Sequence, residues 1–154
     1  MELIDILLPD AVLASAKATS KKRALQDASL LAEKVYHLPS KEILTALQDR
    51  ESLGPTGMGH GVAIPHARLP EIDRVWGLFL RLETPVDFDA VDRQPVDLVF
   101  VLFAPKGAVA DHLKALALVS RTLRNEAICA KIRSTDDPSA IYSILTDGQK
   151  AKAA

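Results

Sequence analysis

The sequence predicts an α/β fold, a single layered domain with a central mixed β-sheet flanked by helices on both faces. Three observations carry that prediction. The short apolar runs Val75–Leu82 and Leu98–Ala104, rich in branched and aromatic residues, have the length and composition of strands. Stretches with apolar residues at three- and four-residue steps lie around them and read as amphipathic helices. The 154 residues show no repeat and no linker, so they form one domain large enough to bury a sizeable core. Stacking helices on a sheet is how such an alternation hides its apolar faces.

In chain order, Leu3–Leu8 reads as a short helical turn ended by Pro9, and Val12–Ala18 as an edge strand with weak alternation. Ser20 is an N-cap for a helix over 21–37, with Ala24, Leu25, Ala28, Leu31, Ala32 and Val35 on its apolar face. Ser40 is expected to cap a second helix, with Ile43, Leu44 and Leu47 inward and Arg50 near its end. A glycine-bearing loop follows, and Val62–Ile64 forms a short strand leading to His66. After strand Val75–Leu82, the polar Asp89–Pro95 segment connects to Leu98–Ala104. That uninterrupted apolar run belongs to a central strand covered on both faces.

Pro105-Lys106-Gly107 breaks the strand. A helix over 110–124 is expected to turn Leu113, Leu116, Ala117 and Leu123 inward. Ala115, Leu118 and Val119 fill its other faces, so it should be buried nearly all round. Asn125 caps a short helix to Arg133, and Asp136 or Asp137 starts a last one with Ala140, Ile141, Ile144 and Leu145 on its apolar face. The domain is therefore expected over 1–147, with 148–154 a flexible C-terminal tail of small and polar residues.

The composition, 48% hydrophobic and 25% charged, is that of an ordered globular protein. A net charge of −1, from 19 basic and 20 acidic residues, offers no electrostatic grip on nucleic acid or anionic lipid. No apolar run approaches the roughly 18 residues of a membrane span, so no membrane insertion is expected. The segment Met1–Pro9 lacks a basic region and carries Glu2 and Asp5, which is not the pattern of an export signal, and a cytoplasmic location is expected. The single cysteine, Cys129, has no disulfide partner within the chain and no metal-binding spacing, and reads as a small buried apolar residue.

The stretch with chemical content is Gly57-Met58-Gly59-His60-Gly61-Val62-Ala63-Ile64-Pro65-His66-Ala67-Arg68. Gly57, Gly59 and Gly61 alternate, and each glycine weakens local order unless a turn or a close approach requires it. Pro65 fixes its own φ and biases Ile64 toward an extended conformation, which pins the segment that delivers the His66 imidazole. On residue types alone, His66 serves equally as a packed loop residue or as a nucleophile carrying a phosphoryl group.

The run resembles the active-site motif of enzyme IIA proteins of the mannitol/fructose class of the bacterial phosphotransferase system. In that family an acidic or amide residue precedes a small-residue loop that ends in an aliphatic-Ala-aliphatic-Pro-His-small sequence. Here Glu51 leads, Met58-Gly59 lies in the middle, and Val62-Ala63-Ile64-Pro65-His66-Ala67 closes it. The similarity runs over about 5–147. Ser20-Lys21-Lys22-Arg23-Ala24-Leu25 and Phe88–Leu98 are similar to the nitrogen-regulatory branch more than to the sugar-transporting ones.

The resemblance implies a phosphohistidine carrier and regulator. It would accept a phosphoryl group on Nε2 of His66 from a histidine phosphocarrier protein, and its phosphorylation state would control regulatory target proteins. It implies phosphate-stabilising roles for Arg50 and His112, which on residue type alone are a solvated helix-end arginine and an ordinary exposed histidine. Arginine suits the role because its guanidinium keeps its charge and offers donors in a planar fork. His112 falls in the first turn of a helix, where the dipole favours an anion and a neutral ring. Thr56 is expected to add a hydroxyl donor, with Gly57, Gly59 and Gly61 forming a phosphate loop. No cofactor and no metal are implied. His60 is given no catalytic role and His37 a structural one. Pro55 and Lys114 depart from the family, which usually has a serine and often a histidine there.

Other readings use the same residues. A sugar-specific IIA component would pass phosphate to a IIB domain. A metal-dependent hydrolase would gather His60, His66 and His112 around zinc, although His-x5-His is not a recurrent ligand spacing. A nucleotide-binding loop would need a Gly-Lys-Ser/Thr that is missing here. A non-catalytic binding module would leave His66 without a chemical task.

Overall fold

The fold is that of a computed structural model, which describes the backbone of residues 1–153 and the side chains of residues 1–147. The flexible tail expected at 148–154 lies outside the fully described residues. In chain order the elements are α1 (Leu3–Ile6), β1 (Leu7–Ala16), α2 (Lys21–Tyr36), α3 (Ser40–Ser52), β2 (Gly57–Gly59), β3 (Val62–Ala63), β4 (His66–Leu69), β5 (Trp76–Val86), β6 (Val96–Pro105), α4 (Val109–Leu123), α5 (Glu126–Arg133) and α6 (Pro138–Ala153). The strand order is β1-β5-β6-β3-β2, with β4 also on β6. Strands β1 and β5 are parallel, β5 and β6 antiparallel, and β3 and β4 both run parallel to β6. The sheet is mixed, as expected.

Strand β6 organises the molecule. Residues Leu98 to Ala104 are all essentially buried, and because successive strand side chains point to opposite faces, both faces of the sheet are covered. Helices α2 and α3 pack on each other and against β1, β5 and β4, while α4 packs on β6 and leads through α5 to α6. Phe79 and Phe100 meet edge to face in the core, with ring centroids 6.2 Å apart.

Along one edge of β6, β3 and β4 lie end to end in constant register, with Val62 opposite Leu98 and His66 opposite Leu102. The break between them is Ile64-Pro65. The Pro65 carbonyl still accepts from the Leu102 N–H at 3.0 Å, whereas the Ile64 N–H turns away to the Thr56 carbonyl. Proline cannot donate to the ladder, so the seam falls where the residue type requires it.

Several local expectations are corrected. Strand β1 starts at Leu7 and contains Pro9, because an edge strand tolerates a missing donor. Pro39, not Ser40, is the cap residue of α3, and the Ser40 N–H donates to the Glu33 carboxylate at 2.9 Å. Asp137, rather than Asp136, precedes α6, its carboxylate accepting from the Ser139 N–H. Helix α4 is not buried all round. Leu113 is 62% exposed and Ala117 is exposed, while His112, Ala115, Leu118, Val119, Thr122 and Leu123 face inward. The buried stripe is shifted because it includes His112 and Thr122, polar residues that a hydrophobicity pattern leaves out. The Ser20 cap of α2 and the Asn125 cap of α5 are as expected.

Candidate active site

Three elements converge on His66. Strand β4 carries it near the carboxyl end of β6, the last turn of α3 brings Arg50, and the first turn of α4 brings His112. The half-buried imidazole opens on a cleft of about 540 Å³ lined by Arg50, His66, Arg68 and His112 together with Asp49 and Leu53.

The tautomer of His66 follows from its two contacts. Nδ1 lies 2.9 Å from the Ile64 carbonyl, an acceptor only, so Nδ1 carries the proton and donates. Nε2 then holds a lone pair, and it accepts from the Arg50 Nε–H at 3.2 Å. One backbone carbonyl, placed by the Ile64-Pro65 seam, therefore orients the ring and leaves Nε2 as the nucleophilic atom. Nothing in the residue types pointed to it, because a carbonyl has no sequence signal.

Arg50 is anchored a second time, Nη1 donating to the Gly54 carbonyl at 2.9 Å. The loop that presents Gly54 is held by Glu51. Its carboxylate, 7% exposed, accepts from the Thr56 N–H at 2.9 Å and from the Thr56 hydroxyl, and pairs with Lys21 at 3.6 Å. Glu51 thus fixes the loop that fixes Arg50, a role absent from the sequence reading.

The His66 and His112 rings lie 5.3 Å apart, edge to face. His112 is 8% exposed, and its Nε2 has no hydrogen-bond partner among the described residues. A buried polar atom left unpaired costs about 1–3 kcal/mol, so this nitrogen calls for a partner from outside the chain, a water or a ligand.

Burial is the main cause that holds the His66 imidazole below the ordinary histidine range. The Ile64 bond opposes it, the Arg50 charge assists it, and Glu51 and Arg68 add smaller opposing and assisting effects. His112 is pushed down to about 4 by burial first, then by the charges of His66 and Arg68. Both rings are neutral near pH 7. Neutrality of His112 was expected, but from the helix dipole, and burial is the larger cause.

The structure brings His66, Arg50 and His112 together. It does not bring Thr56, Gly57, Gly59 or Gly61 to the cleft. The Thr56 hydroxyl is spent on Glu51, Gly57 lies against Ala90, and Gly59 lies beside Asp92. Gly61, at φ +80, is needed where the Arg133 guanidinium packs, since a Cβ there would meet Arg133 Nη2 at 2.5 Å. The alternating glycines answer backbone packing at the β2–β3 hairpin.

His60 lines a separate cavity with Leu123, Cys129 and Arg133. Among the described residues no group of three His, Cys, Asp or Glu side chains is placed to hold a metal ion. Arg68 borders the cleft and was assigned nothing from the sequence. The available signal was its spacing, two residues after His66 on one strand and therefore on the same face.

An oriented imidazole with an available nitrogen lone pair, next to a guanidinium and a second neutral ring, defines a histidine that can accept a small anionic electrophile. Residues 5–148 match the model of a family described as phosphoenolpyruvate-dependent sugar phosphotransferase system, EIIA 2, and the chain belongs to that family. Within it, the chain is 48% identical over 145 residues to a nitrogen regulatory protein of Bradyrhizobium diazoefficiens, covering 94% of this chain and 95% of the relative. It is 40% identical over 148 residues to a nitrogen regulatory protein of Escherichia coli, covering 96% and 91%. The crystal structure of nitrogen regulatory protein IIA-Ntr from Neisseria meningitidis superposes with a TM-score of 0.88 at 35% identity, covering 94% of this chain and all of that one. The α/β fold and the nitrogen-regulatory resemblance read from the sequence therefore stand.

Proposed function

We propose that the protein is a phosphohistidine carrier and regulator that takes a phosphoryl group on His66 Nε2 from a histidine phosphocarrier protein and signals its phosphorylation state to target proteins. The observation that carries this reading is the His66 ring itself, held by the Ile64 carbonyl at Nδ1 and left unprotonated at Nε2, where its lone pair accepts only from Arg50 Nε–H. In the step, the Nε2 lone pair forms a bond to phosphorus while the bond from phosphorus to the donor's imidazole nitrogen breaks. The proton stays on Nδ1 throughout, donated to the Ile64 carbonyl. Arg50 Nε–H, which caps the lone pair in the free protein, is released when that pair is used and turns to a phosphoryl oxygen. The unpaired His112 Nε2 offers a second donor to the incoming oxygens. Transfer of this kind asks for positioning and charge stabilisation and needs no cofactor.

Leu53, 85% exposed at the cleft, with Val109 and Leu113 flanking His112 on α4, supplies apolar surface on which the donor protein docks. No described helix is long and apolar enough to cross a membrane, and we place the protein in the cytoplasm with its donor. The family description names a sugar system, which favours a second reading in which the acceptor is a sugar-specific IIB domain. Efficient transfer from the phosphorylated protein to purified IIB domains decides for that reading, and its failure decides for the regulator. Incubation with phosphorylated carrier and mapping of the acid-labile label tests the site. His66→Ala should abolish uptake in a folded protein, and Arg50→Ala and His112→Ala should each slow it by about 10²–10³-fold. A label elsewhere, or unchanged rates in both variants, removes those residues from the mechanism.

A further inference from the structure

Two guanidinium groups border the cleft, and they are placed differently. Arg50 is committed, with Nε on His66 Nε2 and Nη1 on the Gly54 carbonyl. Arg68 is exposed, and its guanidinium makes no hydrogen bond or ion pair with any described residue. Asp49, the carboxylate on the same cleft, is not paired with it. Along β4, Ala67 and Leu69 are buried while His66 and Arg68 are not. Their side chains therefore share the cleft face, two residues or about 7 Å apart along the strand. An arginine side chain spans that distance, so its fork can reach a group mounted on the neighbouring imidazole.

We propose that Arg68 binds an oxygen of the phosphoryl group carried on His66, as a third phosphate contact beside Arg50 and His112. The inference rests on the carrier reading of His66 given above. A phosphoryl group on Nε2 presents three oxygens with a charge near −2, and Arg50 and His112 supply donors for two of them. Arg68 supplies both the third donor and a second positive charge beside that of Arg50, which the neutral His112 does not. Its unpaired guanidinium has no structural task to abandon when the anion arrives, and its charge already bears on both rings. Being exposed, it is partly screened by solvent and salt, so it contributes less than the half-buried Arg50.

The test uses the full chain and phosphoramidate as donor. The nitrogen–phosphorus bond of phosphoramidate breaks, ammonia leaves, and the bond to His66 Nε2 forms. The rate of adduct formation and the pH at which the adduct's phosphoryl group titrates are read by phosphorus NMR. Arg68→Gln should slow labelling by about tenfold, a single charge-assisted contact. It should also move the phosphoryl titration to higher pH, because the anionic form loses a cation. Arg68→Lys should restore much of the titration, as a point charge, and less of the rate, because it lacks the fork. A role in folding alone leaves the titration where it is. If the wild-type chain is labelled on His66 and Arg68→Gln matches it in rate and titration, the inference fails and the carrier reading stands. If the wild-type chain takes no label on His66, the carrier reading fails and this inference falls with it.

Discussion

At the scale of single residues, the chemistry depends on which nitrogen holds a proton. The Ile64 carbonyl settles that for His66, and burial keeps the ring neutral without a carboxylate partner. For His112 the consequence reaches stability. Its folded-state value of about 4 lies below the ~6.5 of a histidine in an unfolded chain, so between those values the unfolded state binds more protons. The stabilising contribution is complete above about pH 6.5 and is lost progressively as pH falls toward about 4. Urea midpoints measured at pH 7 and pH 4.5 should therefore fall further for the wild-type chain than for His112→Gln. An equal fall in both assigns the acid sensitivity to other groups.

At the scale of elements, the β2–β3 hairpin and the α3–β2 loop divide the work that the sequence had placed in one glycine motif. The loop bears on the candidate site indirectly, through Glu51, Thr56 and Gly54 to Arg50. The hairpin carries packing, where Gly61 lets Arg133 donate to the His60 carbonyl and form its ion pair with Asp97 at 2.8 Å. Gly61→Ala puts an L side chain at φ +80 against Arg133 and Asp97, and should cost about 1–3 kcal/mol of stability. Phosphoryl uptake at 20 °C should stay close to wild type. Loss of uptake with stability intact restores the glycines to the phosphate site.

At the scale of the whole molecule, β6 joins the two halves of the sheet, pairing with β5 on one side and with β3 and β4 on the other. The strand that anchors the core is thus the strand against which His66 is registered, and core and site should be lost together. Phe100→Ala removes a fully buried ring from that strand and should cost about 3–5 kcal/mol. In urea, fluorescence of Trp76 on β5 and uptake on His66 should then disappear at the same lowered midpoint. Two separate midpoints refute a single cooperative unit.

The sequence by itself determined the periodic helices α2 and α5 with their Ser20 and Asn125 caps, the continuous apolar run of the central strand, and the Pro-His motif with its family. These are local properties, written in the spacing and type of neighbouring residues. It also named Arg50 and His112 through the resemblance, though not why they meet His66. Only the tertiary structure decided that Glu51 spends the Thr56 hydroxyl, that Pro9 sits inside an edge strand, and that α4 turns His112 inward and Leu113 out. It alone decided that a main-chain carbonyl sets the tautomer of the His66 ring. Each of those depends on which distant segment lies opposite, and the register of β3 and β4 on β6 is fixed by burial across the whole sheet rather than by any short stretch of chain.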